Sequence, residues 1–161
     1  MAIDRKDALG LGVAVLAPLG VGGLGGLVTA RAIPTWYTDL KKPSWNPPNW
    51  LFGPAWTLLY VLMGAASWLV WRQARKGKAV GLALTLYGIQ LALNLAWSFI
   101  FFGARRPFWA FVEIVPLWLF IAATMMQFYR VSKVAGALLI PYQLWVSFAT
   151  VLNVAVWRLN G

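Results

Sequence analysis

Five apolar runs, carrying a single charged residue (Glu113) between them, decide what this chain can become. They lie at about 8–30, 53–71, 79–104, 108–129 and 134–157. A bilayer core ~30 Å thick takes about 20 helical residues at ~1.5 Å each, so every run is long enough to cross it. Inside lipid each backbone N–H and C=O must be paired within the segment, which makes runs of this length helices. Of the 161 residues, 61% are hydrophobic and 11% charged, with mean hydropathy +0.69. A soluble domain of that size has no interior large enough for so much apolar surface. The expected fold is an all-α integral membrane protein, a five-helix transmembrane bundle in one domain over residues 1–161.

The segments between the runs are short and basic. Arg5 and Lys6 precede span 1, and Ala30-Arg31-Ala32 after it mimics a signal-peptide cleavage site. The apolar run is too long for a signal peptide and is read as a span. Within it Gly22, Gly26 and Ala30 form a small-xxx-small series that permits close helix approach, and Pro18 bends it. Pro54 suits the first turn of span 2. Pro116 and Pro141 lie inside spans 4 and 5. Five spans put the two ends of the chain on opposite sides. Eight basic residues (Arg5, Lys6, Arg72, Arg75, Lys76, Lys78, Arg130, Lys133) face six (Arg31, Lys41, Lys42, Arg105, Arg106, Arg158). The excess predicts a cytoplasmic N-terminus. The formal net charge of +10 meets lipid phosphates rather than nucleic acid, because the basic residues flank membrane spans.

There is no cysteine and no histidine. Disulfides, thiol nucleophiles, imidazole bases and the usual zinc and haem ligands are thereby excluded. No metal site is expected and no cofactor is required.

The stretch from 36 to 60 organises the rest. Its first part, Trp36-Tyr37 through Lys41-Lys42-Pro43-Ser44-Trp45-Asn46-Pro47-Pro48-Asn49-Trp50, is the one long polar interval in the chain. The prolines stiffen it, and tryptophan favours the zone where one edge of the ring is wet and the other apolar. It reads as a rigid aromatic cap at a membrane surface. Eleven tryptophans in so short a chain imply interfacial belts or an aromatic-lined pocket.

Polar groups inside spans mark the bundle interior, because they are costly against lipid. Tyr87, Gln90, Asn94 and Trp97 recur at helical spacing on span 3, and Tyr142, Trp145, Ala149 and Asn153 on span 5. Span 2 offers Trp56 and Tyr60, and span 4 offers Trp109 and Glu113, each pair one turn apart. By depth, Trp56, Tyr60, Asn94, Trp97, Trp109, Glu113, Ala149 and Asn153 fall in the half of the bundle under the Pro/Trp-rich loop. That arrangement suits a capped pocket for a large, flat, mostly apolar ligand. Each tryptophan also reads as an interfacial anchor. Gln90, Asn94 and Asn153 also read as interhelical hydrogen-bond partners, and Glu113 as a structural hydrogen-bonding group.

The motifs Lys42-Pro43-Ser44-Trp45-Asn46-Pro47-Pro48-Asn49-Trp50, Pro54-Ala55-Trp56 and Tyr60 resemble the signature of the TspO/MBR family of translocator and tryptophan-rich sensory proteins. So do Gln90 to Trp97 with Phe101-Phe102-Gly103-Ala104-Arg105, Pro141-Tyr142 to Trp145, Phe148 to Asn153, and Trp157-Arg158. The resemblance covers nearly the whole chain and points to a bacterial-type member in a bacterial membrane. It implies a five-helix fold, frequently homodimeric, that binds porphyrins such as protoporphyrin IX, sterols, and benzodiazepine- or isoquinoline-type compounds. Positions matching the family's pocket are Phe52, Ala55, Trp56, Asn94, Trp97, Trp109, Trp145, Ala149 and Leu152. Trp56 and Trp145 match tryptophans linked in bacterial relatives to porphyrin breakdown. On this reading Lys41 and Lys42 are placed to attract a porphyrin's carboxylates.

Two departures qualify the resemblance. The sterol motif of animal members needs a tyrosine between its outer residues, and Leu152 to Arg158 has none. The GxxxG of span 3 is replaced, with Thr85 and Ile89 at those places, which leaves Gly81, Thr85 and the span 1 glycines as candidate dimer contacts. Three functions follow as expectations. The first is a binding or translocator protein for tetrapyrroles and related lipophiles, with a sensory or regulatory role. The second is a light- and oxygen-dependent porphyrin-degrading enzyme using Trp56 and Trp145. The third is a small proton-coupled transporter using Glu113.

Overall fold

The computed structural model describes residues 4–161, and no strand occurs among them. Helix α1 (Arg5–Ala32) continues into a wider π-type turn, Ile33–Tyr37. Then come α2 (Asn49–Ala74) and α3 (Gly81–Ser98), the latter continued by a second π turn, Phe99–Gly103. The chain ends with α4 (Pro107–Val131), α5 (Lys133–Leu138) and α6 (Ile140–Asn160). Counting α5 and α6 as one broken span, five segments of 33, 26, 23, 25 and 28 residues are long and apolar enough to cross a membrane. The protein is an integral, multi-pass, all-α membrane bundle.

The ends of the spans differ from the sequence reading. Span 1 runs on to Tyr37 rather than stopping near residue 30. Pro34 has no N–H for the Ala30 carbonyl, and the helix widens instead of ending. Hydroxyls occupy the displaced carbonyls: Thr35 donates to Arg31 at 3.1 Å and Thr38 to Ile33 at 2.6 Å. Helix α2 begins at Asn49, four residues before the expected start, directly after the extended Pro48. The cap thereby shortens to residues 40–48. Span 5 breaks at Leu139, and Pro141 falls in the first turn of α6, where a missing N–H costs nothing.

Helices α1 and α2 pack backbone to backbone. A Cβ on Gly64 would lie 2.5 Å from Val15 Cα and 2.7 Å from the Ala14 carbonyl oxygen, so only glycine allows this approach. Their far ends are fastened by charge. Asp7 is paired with Arg72 at 3.1 Å and Arg75 at 2.6 Å, and the Trp68 indole donates to the Asp7 carbonyl at 3.0 Å. Asp4 caps α1 by accepting from the Asp7 N–H at 2.6 Å, which holds its carboxyl below the usual carboxylate range.

Around the ring α1 also touches α3, α3 packs on α4, α4 on α5 and α6, and α5 on α2. In the half away from the cap this ring is filled by Met63, Val70, Ile114, Leu117, Ile121, Phe128 and Val146. Under the cap a smaller core gathers Tyr37, Phe101, Phe102, Ala110, Leu152 and Val156. There α6 leans on α4, and α2 meets α6 through aromatic rings rather than by close backbone packing. Leu9, Val13, Leu16, Leu24 and Leu27 of α1 stand exposed on the outside, the face expected toward lipid.

Candidate ligand-binding site

Where α2 and α6 stand apart, a cavity of about 380 Å³ lies beneath the cap. Its volume falls in the range of small-molecule sites, and no charged side chain lines it. Helix α2 supplies Phe52, Trp56 and Tyr60. Helix α6 supplies Trp145, Ala149, Leu152 and Asn153. The end of α3 supplies Trp97, Phe101 and Phe102. The Trp56 and Trp145 rings meet edge to face, 6.4 Å apart at 83°, and Phe52 lies 6.3 Å from Trp145. Trp97 stacks on Phe101 at 5.1 Å, and the π turn after α3 brings both Phe101 and Phe102 inward. Each such ring pair contributes about 0.5–1.5 kcal/mol beyond area burial, so the walls are rigid.

The polar groups of the lining are mostly committed. Tyr37 donates to Asn46 at 2.8 Å and Tyr60 to Asn94 at 2.5 Å. The Trp97 indole donates to Asn153 at 3.1 Å, and Asn153 in turn donates to the Pro107 carbonyl at 2.8 Å. Thr29 and Thr57 bond carbonyls of their own helices. Among the described residues, the indole N–H groups of Trp56 and Trp145 have no partner. They are the donors left for a ligand, together with Asn49 at the rim.

The cap is fastened over this space. The Lys41 N–H donates to the Asn160 side chain at 2.9 Å, and the Asn160 amide donates back to the Lys41 carbonyl at 2.8 Å. Trp45 sits edge-on to Phe148 at 5.8 Å. Lys42 is no free cation: its Nζ donates to the carbonyls of Tyr37, Leu40 and Thr38 at 2.6, 2.8 and 3.2 Å, closing the end of α1. Of the expected carboxylate-attracting pair, Lys41 alone keeps an exposed side chain, and it lies outside the lining. On the flank, Gly23, Gly26 and Ala30 of α1 and Gly53 and Thr57 of α2 line the cavity and are also exposed outside. The cavity therefore opens sideways between α1 and α2, at the depth of the spans.

Eight of the positions singled out in the sequence meet here: Phe52, Trp56, Tyr60, Trp97, Trp145, Ala149, Leu152 and Asn153. Five lie elsewhere. Ala55 is on α2 outside the lining. Asn94 and Tyr142 are buried behind Tyr60, at 2% and 1% exposure. Trp109 is 58% exposed on the outer face of α4, packed on Phe108. Glu113 has both carboxylate oxygens enclosed without a partner among the described residues. Helix α4, counted among the contributors from depth alone, lends the lining no residue, because its inward face is taken up by Ala110, Ile114 and Leu117. Helix α1 lends the most, through Leu19, Gly22, Gly25, Gly26 and Thr29. Its glycines shape the cavity by lacking side chains, and nothing in their chemistry distinguishes that from tight helix packing.

The pattern of the TspO/MBR family matches residues 14–158. The chain is 46% identical over 156 residues to the tryptophan-rich protein TspO of Chlorobaculum tepidum, covering 97% of this chain and 99% of that protein. It is 50% identical over 127 residues to the human translocator protein, covering 78% and 75%. With the tryptophan-rich sensory protein of Cereibacter sphaeroides it shares 44% over 125 residues, covering 78% and 77%.

Proposed function

The chain belongs to the TspO/MBR family, and from that premise we propose that it binds a flat, largely apolar molecule of the tetrapyrrole kind, protoporphyrin IX being the probe of choice. In this reading it is a translocator- or sensor-type membrane protein, and ligand occupancy of the cavity is its functional event. One observation carries the reading: an uncharged aromatic cavity with two uncommitted indole donors and a mouth toward the bilayer. Edge and face contacts with the aromatic walls on α2, α6 and the end of α3 suit a planar π system. The indoles suit its hydrogen-bond acceptors. Carboxylates on such a ligand would stay at the headgroup level, because the cavity offers no cation to replace their hydration. Sterols and isoquinoline-type compounds fit the same apolar volume and enter the test as competitors. Homodimer formation belongs to the proposal too. Gly81 and Gly88 are exposed on α3 with nothing within 4 Å, whereas Gly22 and Gly25 of α1 are used inside the chain, against Tyr60 and Ser98.

Titration of purified protein with protoporphyrin IX, followed by tryptophan quenching, tests the site. Trp56→Ala and Trp145→Ala are each expected to weaken binding about tenfold, in line with ~1–3 kcal/mol for a lost aromatic stacking partner. Unchanged affinity in both variants would remove the cavity from consideration.

A second reading is breakdown of bound porphyrin with light and dioxygen. The observation in its favour is that Trp56, Trp145 and Tyr60 place electron-rich rings together on one wall, with Trp56 stacked on Tyr60 at 5.6 Å. Porphyrin consumption under illumination that persists in the Trp56→Phe/Trp145→Phe variant would show the indoles to be dispensable. Proton-coupled transport through Glu113 draws no such support, since that carboxylate lies outside the cavity lining.

A further inference from the structure

Behind the cavity wall, starting from Tyr60 of the lining, a chain of buried hydrogen bonds runs through three helices. The Tyr60 hydroxyl of α2 donates to Asn94 Oδ1 of α3 at 2.5 Å. Asn94 Nδ2 donates to the Tyr142 hydroxyl of α6 at 3.0 Å. Tyr142 donates to Gln90 Oε1 at 2.8 Å, and Gln90 Nε2 points at Met63 Sδ, 3.8 Å away. Asn94, Tyr142 and Gln90 are each 2% exposed or less, and none lines the cavity.

From this we infer that Asn94 is the positioning residue of the ligand cavity, fixing the Tyr60 ring and, through it, the Trp56 indole. Each phenol has one proton, so the donors run in one direction, from Tyr60 inward. A carboxamide can accept from one phenol and donate to the next at the same time; leucine can do neither, and aspartate can only accept. With its oxygen held from behind, the Tyr60 ring is pinned from the front by Gly22, where a Cβ would overlap ring carbons. Trp56 lies on this fixed ring at 5.6 Å with 28° between planes, and two further rings meet it edge-on, Tyr142 at 6.2 Å and Trp145 at 6.4 Å. Removing Asn94 strands a phenolic hydroxyl in an apolar interior. The group regains a partner only by swinging toward the cavity and taking the Trp56 stack with it.

The inference rests on the cavity being the ligand site, so the test has an arm with a ligand and an arm without. In the first, protoporphyrin IX binding is measured for Asn94→Leu and Tyr142→Phe, each alone and combined with Tyr60→Phe. Asn94→Leu is expected to weaken binding about tenfold and Tyr142→Phe about threefold, within what one buried hydrogen bond is worth. Both effects are expected to shrink below about twofold in the Tyr60→Phe background, because the action passes through the Tyr60 hydroxyl. An Asn94→Leu effect that persists undiminished with Tyr60→Phe would mean that Asn94 meets the ligand itself, and the inference would fall. In the second arm the near-ultraviolet circular dichroism due to Trp56 is isolated as the difference between each protein and its Trp56→Phe counterpart. That difference is expected to change in Asn94→Leu, and to change in Tyr142→Phe only while the Tyr60 hydroxyl is present, since the ring at 142 also touches Trp56. If it stays the same, the positioning role is refuted whether or not porphyrin binds. Absence of porphyrin binding to the unaltered protein overturns the proposed function instead and leaves the second arm to decide. Should Asn94→Leu not fold, Tyr142→Phe, which loses a single oxygen, carries both arms, each read with and without Tyr60→Phe because the ring at 142 also meets Trp56.

Discussion

Trp56 and Trp109 each sit one helical turn from a polar residue, at similar depth, on helices that reach the capped side of the membrane. The fold gives them opposite surroundings. Trp56 is wedged between Tyr60 and Trp145 in the cavity lining, with its N–H unpaired among the described residues. Trp109 turns outward against Phe108, where an amphipathic ring serves as an anchor at the lipid–water boundary. Trp109→Ala is therefore expected to leave protoporphyrin IX affinity within about twofold, measured by the same quenching titration. A loss comparable to that of Trp56→Ala would contradict this placement. Sequence alone could not separate the two, because a pocket wall and a membrane interface ask for the same side chain. It did separate Trp97 and Asn153, whose spacing put them on inward faces and which are found bonded to each other at 3.1 Å. Asn94 was legible as buried and polar. Its partner was not, because hydrogen bonding to Tyr60 and contact with a ligand leave the same trace in sequence.

At the scale of helices, length and hydropathy were enough to find five spans, since the bilayer imposes both. Their ends were harder to read. The apolar run was read as ending before Arg31, yet Thr35 and Thr38 supply hydroxyls that keep the helix going through a widened turn. Facing was harder still. Helix α1 meets lipid, α2 and the cavity, all of which favour apolar or small residues, so its periodicity carries little information. Gly64 shows what those small residues do. A side chain there must displace the α1 backbone at Val15. Gly64→Leu is expected to cost about 1–3 kcal/mol or more, as overpacking does, and to lower the temperature of irreversible unfolding in detergent. Gly26→Leu, which meets open space, is expected to leave it unchanged. Equal losses in both variants would show that the α1–α2 contact is looser than described.

For the molecule as a whole, the cap is latched and the flank is open. Lys41 of the cap and Asn160 at the end of α6 exchange two hydrogen bonds, while exposed glycines border the gap between α1 and α2. A ligand dissolved in the bilayer then arrives sideways, without passing the cap. In nanodiscs, Gly26→Phe is expected to slow protoporphyrin IX association several-fold, and Asn160→Ala, which releases the latch, to leave the rate nearly unchanged. The reverse pattern, faster association with Asn160→Ala and no effect of Gly26→Phe, would assign access to the cap.

All of this depends on one claim, that the ligand sits between Trp56 and Trp145. Eleven indole N–H groups give eleven resonances in a ¹⁵N–¹H spectrum of the protein labelled at tryptophan, each assignable by a Trp→Phe substitution. Addition of protoporphyrin IX is expected to move the Trp56 and Trp145 signals most. That of Trp118, bonded to Ser147 at 2.8 Å on the other side of the bundle, and that of the outward Trp109 should stay in place. Unmoved Trp56 and Trp145 signals, with shifts at Trp109 or Trp118, would put the ligand on the outer face of α4 and contradict the account.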